Sequence, residues 1–223
     1  MRVVVVGATG NVGTSVLRSL ADEPVVESVL GIARRLPDLE LPKVEWAAAD
    51  VGFDDLVPHF RGADAVIHLA WLIQPARDVV KLRRTNVHGT ARVLRAVAQA
   101  EVPALIYASS VGAYSAGPKD RSVDESWPTD GIPTSFYSRH KAEVEGMLDR
   151  FERDRPEVRV VRLRPGLIFK REAASGIRRL FAGPFLPSRL VRPELVPAVP
   201  HLERLRFQAV HSLTSATPTG APS

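Results

Sequence analysis

Short apolar segments alternate with amphipathic segments along most of the chain. The apolar segments are rich in valine and isoleucine, which favours strands, whereas the amphipathic segments repeat apolar residues at helical spacing. The predicted strands are 3–6, 25–33, 44–49, 65–70, 104–108 and 158–163, and the predicted helices are 12–20, 53–61, 76–100 and 137–155. Strands that are apolar on both faces and alternate with helices predict a doubly wound α/β fold with a parallel sheet.

Composition excludes several classes of protein. The 223 residues are 45% hydrophobic, which is too apolar for a disordered chain, and no apolar run is long enough for a membrane-spanning helix. The absence of cysteine excludes disulfides and thiolate chemistry. The net charge of +5 comes from arginines scattered among the acids, so nucleic acid is not the expected partner. The N-terminal apolar stretch ends at Gly7, too early for a signal peptide, and a cytoplasmic location is expected.

A glycine-rich turn stands between the first predicted strand and the first predicted helix. Its glycines form a G-x-x-G-x-x-G pattern, which permits a tight turn and lets backbone N–H groups approach a pyrophosphate at the positive end of the helix. Because the strand–turn–helix context is the one that a dinucleotide motif requires, we predict dinucleotide binding. The predicted loop consists of Gly7, Ala8, Thr9, Gly10, Asn11, Val12 and Gly13.

The end of the second predicted strand bears on the choice between NAD and NADP. In this architecture an acid near this point binds the ribose 2′-hydroxyl of NAD, whereas an arginine accommodates the 2′-phosphate of NADP. The sequence has no acid here and continues with Arg34 and Arg35. We therefore expect NADP rather than NAD. The alternative is that both arginines are only exposed loop residues.

Tyr137 and Lys141 are candidate catalytic residues, because they lie one helical turn apart and project from one face of a predicted helix. A nearby ammonium and the charge of an oxidised nicotinamide favour the phenolate, which lowers the pKa of a tyrosine. Tyr137 is therefore a candidate acid/base. The fifth predicted strand ends at Ser109 and Ser110, and open α/β sheets bind ligands at the carboxyl ends of their strands.

Taken in order, these motifs resemble the extended branch of the short-chain dehydrogenase/reductase superfamily, the NAD-dependent epimerase/dehydratase family. The matching segments are Gly7-x-x-Gly10-x-x-Gly13, Asp50-Val51, His68-Leu69-Ala70, Asn86-Val87-x-Gly89-Thr90, Ser109-Ser110-Val111-x-x-Tyr114, Tyr137-x-x-x-Lys141 and Arg164-Pro165-Gly166. The resemblance implies a Rossmann domain that transfers a hydride between a nicotinamide and a hydroxyl or ketone carbon. It also implies a small-molecule substrate, and a homodimer through the long helices is typical of the family.

The same resemblance implies roles for particular residues. Ser110 would provide the catalytic hydroxyl, Tyr137 would move the proton, and Lys141 would hold the nicotinamide ribose and tune Tyr137. The other implied cofactor residues are Asp50 and Val51 at the adenine, Leu69 and Ala70 after the fourth strand, Asn86 on its helix, and Pro165 near the nicotinamide.

Some of these residues have plainer alternatives. Asp50 is also suited to cap the segment that follows it. His68 and Trp71 are expected to pack at a strand end rather than to act in chemistry. The other histidines share no metal-ligand spacing, so no metal is expected.

The reaction stays open between epimerisation and carbonyl reduction. Sugar-nucleotide dehydratases of the resembled family carry an Asp-Glu pair after the catalytic hydroxyl, whereas Val111 and Gly112 follow Ser110 here, so dehydration is disfavoured. Epimerases of the family are usually tied to NAD, and the two arginines favour NADP and hence net reduction. A nucleotide sugar is one candidate substrate, but the sequence does not identify it.

The pattern of the chain changes after Pro165. We expect an NAD(P)-binding domain over 1–165, an incomplete substrate-binding lobe over 166–211 and a disordered tail over 212–223. Residues 206–211 resemble the strand that leads into a His-Val-Asp-Asp-Val-Ala stretch of the family, but a tail rich in Ser, Thr and Pro follows His211.

A frameshift in a G+C-rich gene is our hypothesis for this tail, and reading the coding DNA in the other frames tests it. A second class of function follows, namely a dinucleotide-binding sensor or an inactive remnant without turnover.

Overall fold

The computed structural model describes residues 1–73, 78–118, 120–169 and 209–211. The strands are β1 (Arg2–Val6), β2 (Ser28–Ala33), β3 (Val44–Ala48), β4 (Ala65–His68), β5 (Ala104–Ala108), β6 (Arg159–Leu163), β7 (Leu167–Phe169) and β8 (Ala209–His211). The first six form one parallel sheet in the order β3-β2-β1-β4-β5-β6, and β7 pairs with β8 in a separate parallel pair. This strand order is that of a Rossmann fold, so the predicted doubly wound α/β fold is confirmed.

Helices cover both faces of the six-stranded sheet. They are α1 (Gly13–Asp22), α2 (Val57–Phe60), α3 (Val79–Arg83), α4 (Gly89–Gln99) and α5 (Phe136–Asp154). Successive residues of a strand point to opposite faces, and β1 therefore contributes to two separate hydrophobic cores. Val3 and Val5 pack in the core that includes α1, whereas Val4 and Val6 pack in the core that includes α2, α4 and α5. All four valines are buried, which explains why β1 reads as an unbroken apolar run.

The edge strands differ from the prediction that every strand is apolar on both faces. β3 and β6 are partly exposed along their length, because each has a neighbour on one side only. The prediction of uniform burial is wrong for these two strands and is met by β1, which lies inside the sheet.

Two predicted helices are shorter or less regular than their periodicity indicated. In place of the helix 53–61 there is a turn followed by α2, because the Asp54 carboxylate accepts the N–H of Asp50 at 2.7 Å and holds the turn. The predicted helix 76–100 contains α3 and α4, joined by a π-helical turn over Arg84–His88. The Thr90 hydroxyl donates to the Asn86 carbonyl in this turn at 2.6 Å. Single π turns inside α-helices occur often at functional sites.

Most of the predicted substrate-binding lobe and the whole predicted tail lie outside the described residues. Within the described part of the chain, no helix combines the length and the apolar character that crossing a membrane requires.

Candidate active site

The glycine-rich turn follows β1 directly, at the point of the sheet where the strand order reverses between β1 and β4. Gly7 has a φ of +87°, and a Cβ at this position would lie 2.6 Å from the backbone nitrogen of Ala70. A Cβ on Gly13 would collide with the Ala8 carbonyl. The turn therefore requires glycine for its backbone conformation and for its close approach to the segment after β4.

The turn leaves backbone donors open at the start of α1. The N–H groups of Gly7 and Ala8 donate to the Ile32 carbonyl at 2.9 and 3.1 Å, which ties the turn to β2. By contrast, the N–H groups of Asn11, Val12 and Gly13 make no hydrogen bond with any described residue. N–H groups without a partner at the start of a helix can bind the pyrophosphate of a dinucleotide. The absence of a Cβ at Gly7 and Gly13 keeps the turn close to this helix start.

The residues predicted at the adenine end of the dinucleotide lie after β2 and β3. Arg34 and Arg35 are exposed, and within the described chain neither makes a hydrogen bond or an ion pair. Asp50 accepts the N–H of Gly52 at 2.8 Å, so its side chain stabilises a turn and not the start of a helix. Val51 is buried in the core.

Ser110, Tyr137 and Lys141 converge at the carboxyl end of β5. Ser110 begins a 3-10 turn, in which its hydroxyl accepts the N–H of Gly112 at 3.0 Å. A Cβ on Gly112 would lie 2.9 Å from Cε1 of Tyr137, so glycine is required for the tyrosine ring to lie against this turn. Ser110 lies close enough to Tyr137 to act on its pKa.

The Lys141 ammonium is turned towards the sheet. It donates to the carbonyl of Ala108 at 2.6 Å and to the hydroxyl of Tyr107 at 3.1 Å, and the residue is only 2% exposed. Its Nζ lies 6.0 Å from the centre of the Tyr137 ring. Burial lowers the pKa of Lys141 to about 7, although Glu145 acts in the opposite direction.

The pKa of Tyr137 differs from the expectation that Lys141 lowers it. Burial raises the pKa above its usual value, and only the nearby Ser110 hydroxyl acts to lower it. The physical reason is that the ammonium points to Ala108 and Tyr107 rather than to the Tyr137 hydroxyl.

Asn86 and Pro165, both predicted near the cofactor, hold backbone segments at the edge of the site. The Asn86 amide donates to the Leu72 carbonyl at 3.0 Å and accepts the Leu72 N–H at 2.8 Å, which clamps the segment after β4. Leu69 and Ala70 lie in that segment, with Ala70 against Gly7. The Pro165 carbonyl accepts the N–H of Val111 at 3.1 Å, which joins the segment after β6 to the turn after Ser110.

Glu145 is a residue of this region that the sequence analysis missed. Its side chain is fully buried, and it accepts hydrogen bonds from Ser109 at 2.5 Å and from Arg164 and Arg162 at 2.9 to 3.0 Å. The signal was available, because Glu145 lies one helical turn beyond Lys141 on the same face of α5.

His68 packs at the end of β4 without an evident chemical role. Its Nε2 donates to the Thr90 hydroxyl at 2.9 Å, since that hydroxyl donates its own proton to Asn86. Burial, with a smaller effect of Lys141, lowers the pKa of His68 to about 3, so the ring is neutral. Within the described residues, no group of three His, Cys, Asp or Glu side chains is arranged to hold a metal ion.

Comparison with known proteins places the chain in a family. The model of the NAD dependent epimerase/dehydratase family matches residues 3–177, and the chain belongs to this family. An uncharacterised protein of Mycobacterium tuberculosis (strain H37Rv) is 29% identical over 189 residues, which are 84% of this chain and 17% of that protein. The chain thus spans only a small part of the length of this curated relative.

Solved structures share the fold. The UDP-N-acetylglucosamine 4-epimerase of Methanobrevibacter ruminantium, in complex with UDP-N-acetylmuramic acid, superposes with a TM-score of 0.75 at 20% identity, covering 96% of this chain and 70% of that chain. MoeE5, in complex with UDP-glucuronic acid and NAD, superposes with a TM-score of 0.66 at 25% identity, covering 82% of this chain and 62% of that chain.

Proposed function

We propose that the chain binds a nicotinamide dinucleotide over residues 1–165 and belongs to an enzyme that oxidises or reduces a hydroxyl or ketone carbon. The observation that carries this proposal is the convergence of Ser110, Tyr137 and Lys141 at the same edge of the parallel sheet as the open N–H groups of the glycine-rich turn. Family membership and the NAD bound to MoeE5 support the choice of cofactor.

The proposed roles follow from the chemistry of each side chain. Tyr137 moves the proton to or from the reacting oxygen, and Ser110 donates a hydrogen bond to the same oxygen. Lys141 supplies a positive charge that holds ribose hydroxyls and favours the phenolate of Tyr137. The bound nicotinamide supplies the hydride-transfer chemistry. Because the ammonium faces Ala108 and Tyr107 in this structure, Lys141 must reorient on binding to make these contacts.

A nucleotide sugar is the proposed substrate, by analogy with the UDP-glucuronic acid bound to MoeE5. Val111 and Gly112 follow Ser110, so no acid–base pair for water elimination stands at this point of the chain. Epimerisation and net reduction are therefore the two reactions that an experiment has to distinguish.

Titration of the purified chain with NADPH and with NADH, followed by fluorescence, is the primary test. Binding of either, followed by reduction of a ketone or by oxidation or epimerisation of a UDP-sugar from a defined panel, supports the enzyme. Binding without turnover on any member of the panel favours the alternative, a sensor or an inactive remnant. Binding of neither dinucleotide contradicts both the enzyme and the sensor and leaves the inactive remnant.

The Gly7→Ala variant is expected to bind dinucleotide about tenfold more weakly or worse. Gly7 has a φ of +87°, and the added methyl would lie 2.6 Å from the nitrogen of Ala70, so the loop must move away from the segment after β4. Gly117→Ala is the matched control, because a Cβ there meets nothing within 4 Å. Equal affinities of both variants and the parent chain, measured by the same titration, would contradict the proposed pyrophosphate site.

We propose NADP rather than NAD as the cofactor, because Arg34 and Arg35 are exposed at the end of β2 and unpaired within the described residues. Replacing both by serine is expected to weaken NADPH binding about 10- to 100-fold, since charge-assisted hydrogen bonds to a phosphate are lost, and to leave NADH binding unchanged. Arg95→Ser, an exposed arginine on α4, is the control. A parent chain that prefers NADH would overturn the choice of NADP and favour an epimerase.

A further inference from the structure

Trp71 lies against two of the proposed catalytic side chains. The Lys141 ammonium sits 3.7 Å from the centre of the Trp71 ring system, and the Tyr137 ring meets the indole edge-on at a centroid distance of 6.0 Å. Within the described chain the indole Nε1 is buried and has no hydrogen-bond partner. The orientation of Trp71 therefore depends on ring contacts and not on its N–H group.

The other groups around Lys141 explain why the face of the Trp71 ring matters for the charge of its ammonium. The groups that face the ammonium are Tyr107 and the Ala108 carbonyl on β5, Tyr137 and Glu145 on α5, and His68 on β4. Three of these side chains offer Lys141 no negative charge: His68 is neutral, burial raises the pKa of Tyr107 well above its usual value, and that of Tyr137 is also raised. Glu145 carries a negative charge and acts to raise the pKa of Lys141, but it makes no ion pair with Lys141. The ion pairs of Glu145 are made with Arg162 and Arg164.

We infer that Trp71 is a positioning residue of this site, whose ring face stabilises the charged form of Lys141 and whose T-shaped contact orients the ring of Tyr137. An aromatic ring face attracts a cation, and the attraction is larger where both groups are desolvated. Lys141 is 2% exposed, so water contributes little to the stability of its charge. The inference rests on the proposed function, because it makes Trp71 the residue that positions Lys141 for binding the dinucleotide and Tyr137 for proton transfer.

The direct test is the titration of Lys141 by NMR of the chain labelled at the lysine ε-carbon. The sequence contains five lysines, so the Lys141→Met variant assigns the signal. Trp71→Leu keeps an apolar side chain without a π face, and the pKa of Lys141 is expected to fall by about one unit. Trp71→Phe keeps a weaker ring face, and an intermediate value is expected. Trp127→Leu, whose indole donates to the Ser115 carbonyl instead, is the control and leaves the pKa unchanged.

A second measurement separates the electrostatic effect from packing. Biosynthetic replacement of tryptophan by difluorotryptophan keeps the shape of the ring but weakens its negative face, and it applies even if Trp71→Leu does not fold. A lower pKa of Lys141 in the fluorinated protein is the expected result. An unchanged pKa there, or in the folded Trp71→Leu variant, would overturn the inference.

The NMR readout does not need turnover, so it separates this inference from the proposed function. If the proposed function is correct, the dinucleotide affinity of the parent chain falls as the pH rises and Lys141 loses its proton. In Trp71→Leu this fall is expected at lower pH, in parallel with the lower pKa of Lys141. If Lys141→Met binds dinucleotide as tightly as the parent chain does, the proposed role of Lys141 in binding is wrong. The NMR titration still tests whether Trp71 stabilises the charged form of Lys141.

Discussion

The Tyr137→Phe variant is expected to turn over about 10²- to 10⁴-fold more slowly than the parent chain while it still binds dinucleotide. Phenylalanine keeps the ring that lies against Gly112 and Trp71, so the loss is confined to the hydroxyl that moves the proton. Steady-state rates on the substrate identified by the panel, together with the dinucleotide titration, measure both parts of this expectation.

Tyr114→Phe is the matched control for this variant. Its hydroxyl accepts a hydrogen bond from Arg164 at 3.2 Å and is not part of the proposed catalytic set, so a rate close to that of the parent is expected. If Tyr137→Phe were as active as Tyr114→Phe, another group would have to move the proton and the proposed mechanism would be wrong.

The Glu145→Ala variant is expected to lower the free energy of unfolding by about 3–5 kcal/mol, because it removes the buried partner of Arg164 and leaves Arg162 with only the more exposed Asp149 and Glu152. Glu145 is fully buried and joins Ser109 at the end of β5 to Arg162 and Arg164 at the end of β6. Urea denaturation measures the difference. Glu143→Ala is the control: it removes a more exposed pair with Arg83, and a cost of about 0–1 kcal/mol is expected. Similar costs for both variants would contradict the structural role of the network.

The same carboxylate makes stability depend on pH in the acid range. Burial tends to raise the pKa of Glu145, but hydrogen bonds from Arg164, Ser109 and Arg162 outweigh it and lower the pKa from 4.5 to about 2. Because the folded pKa is below the unfolded one, the stabilisation is complete above the unfolded pKa and is lost as the pH falls through the folded value. The contribution is about 3 kcal/mol, and Glu145→Gln is expected to remove this part of the pH dependence.

Much of the fold could be predicted from local pattern. The apolar run 3–6 and the glycine-rich turn after it indicated a strand and a tight turn without further information, because burial and positive φ restrict residue type directly. The irregular region around Asp50 and the π-helical turn before α4 could not be predicted in this way. Both arise from hydrogen bonds between side chains and backbone that compete with a regular helix.

The candidate site could also be predicted only in part from the sequence. The residue types of Ser110, Tyr137 and Lys141 indicated their chemistry, and their order along the chain indicated the family. The direction in which the Lys141 ammonium points could not be predicted, because the carbonyl of Ala108 and the hydroxyl of Tyr107 come from β5 and the ring of Trp71 comes from the segment after β4.

The sequence by itself therefore determined the Rossmann class, the glycine-rich turn and the identity of the candidate catalytic residues, since each depends on local conformation or on residue chemistry. Only the tertiary structure decided which charges are paired and which are buried. Glu145 is matched by Arg162 and Arg164, whereas Lys141 forms hydrogen bonds only with neutral groups, lies against a ring face and feels Glu145 without forming an ion pair with it. The physical reason is that the energy of a charge depends on its solvation and its partners, and residues distant in the sequence supply both.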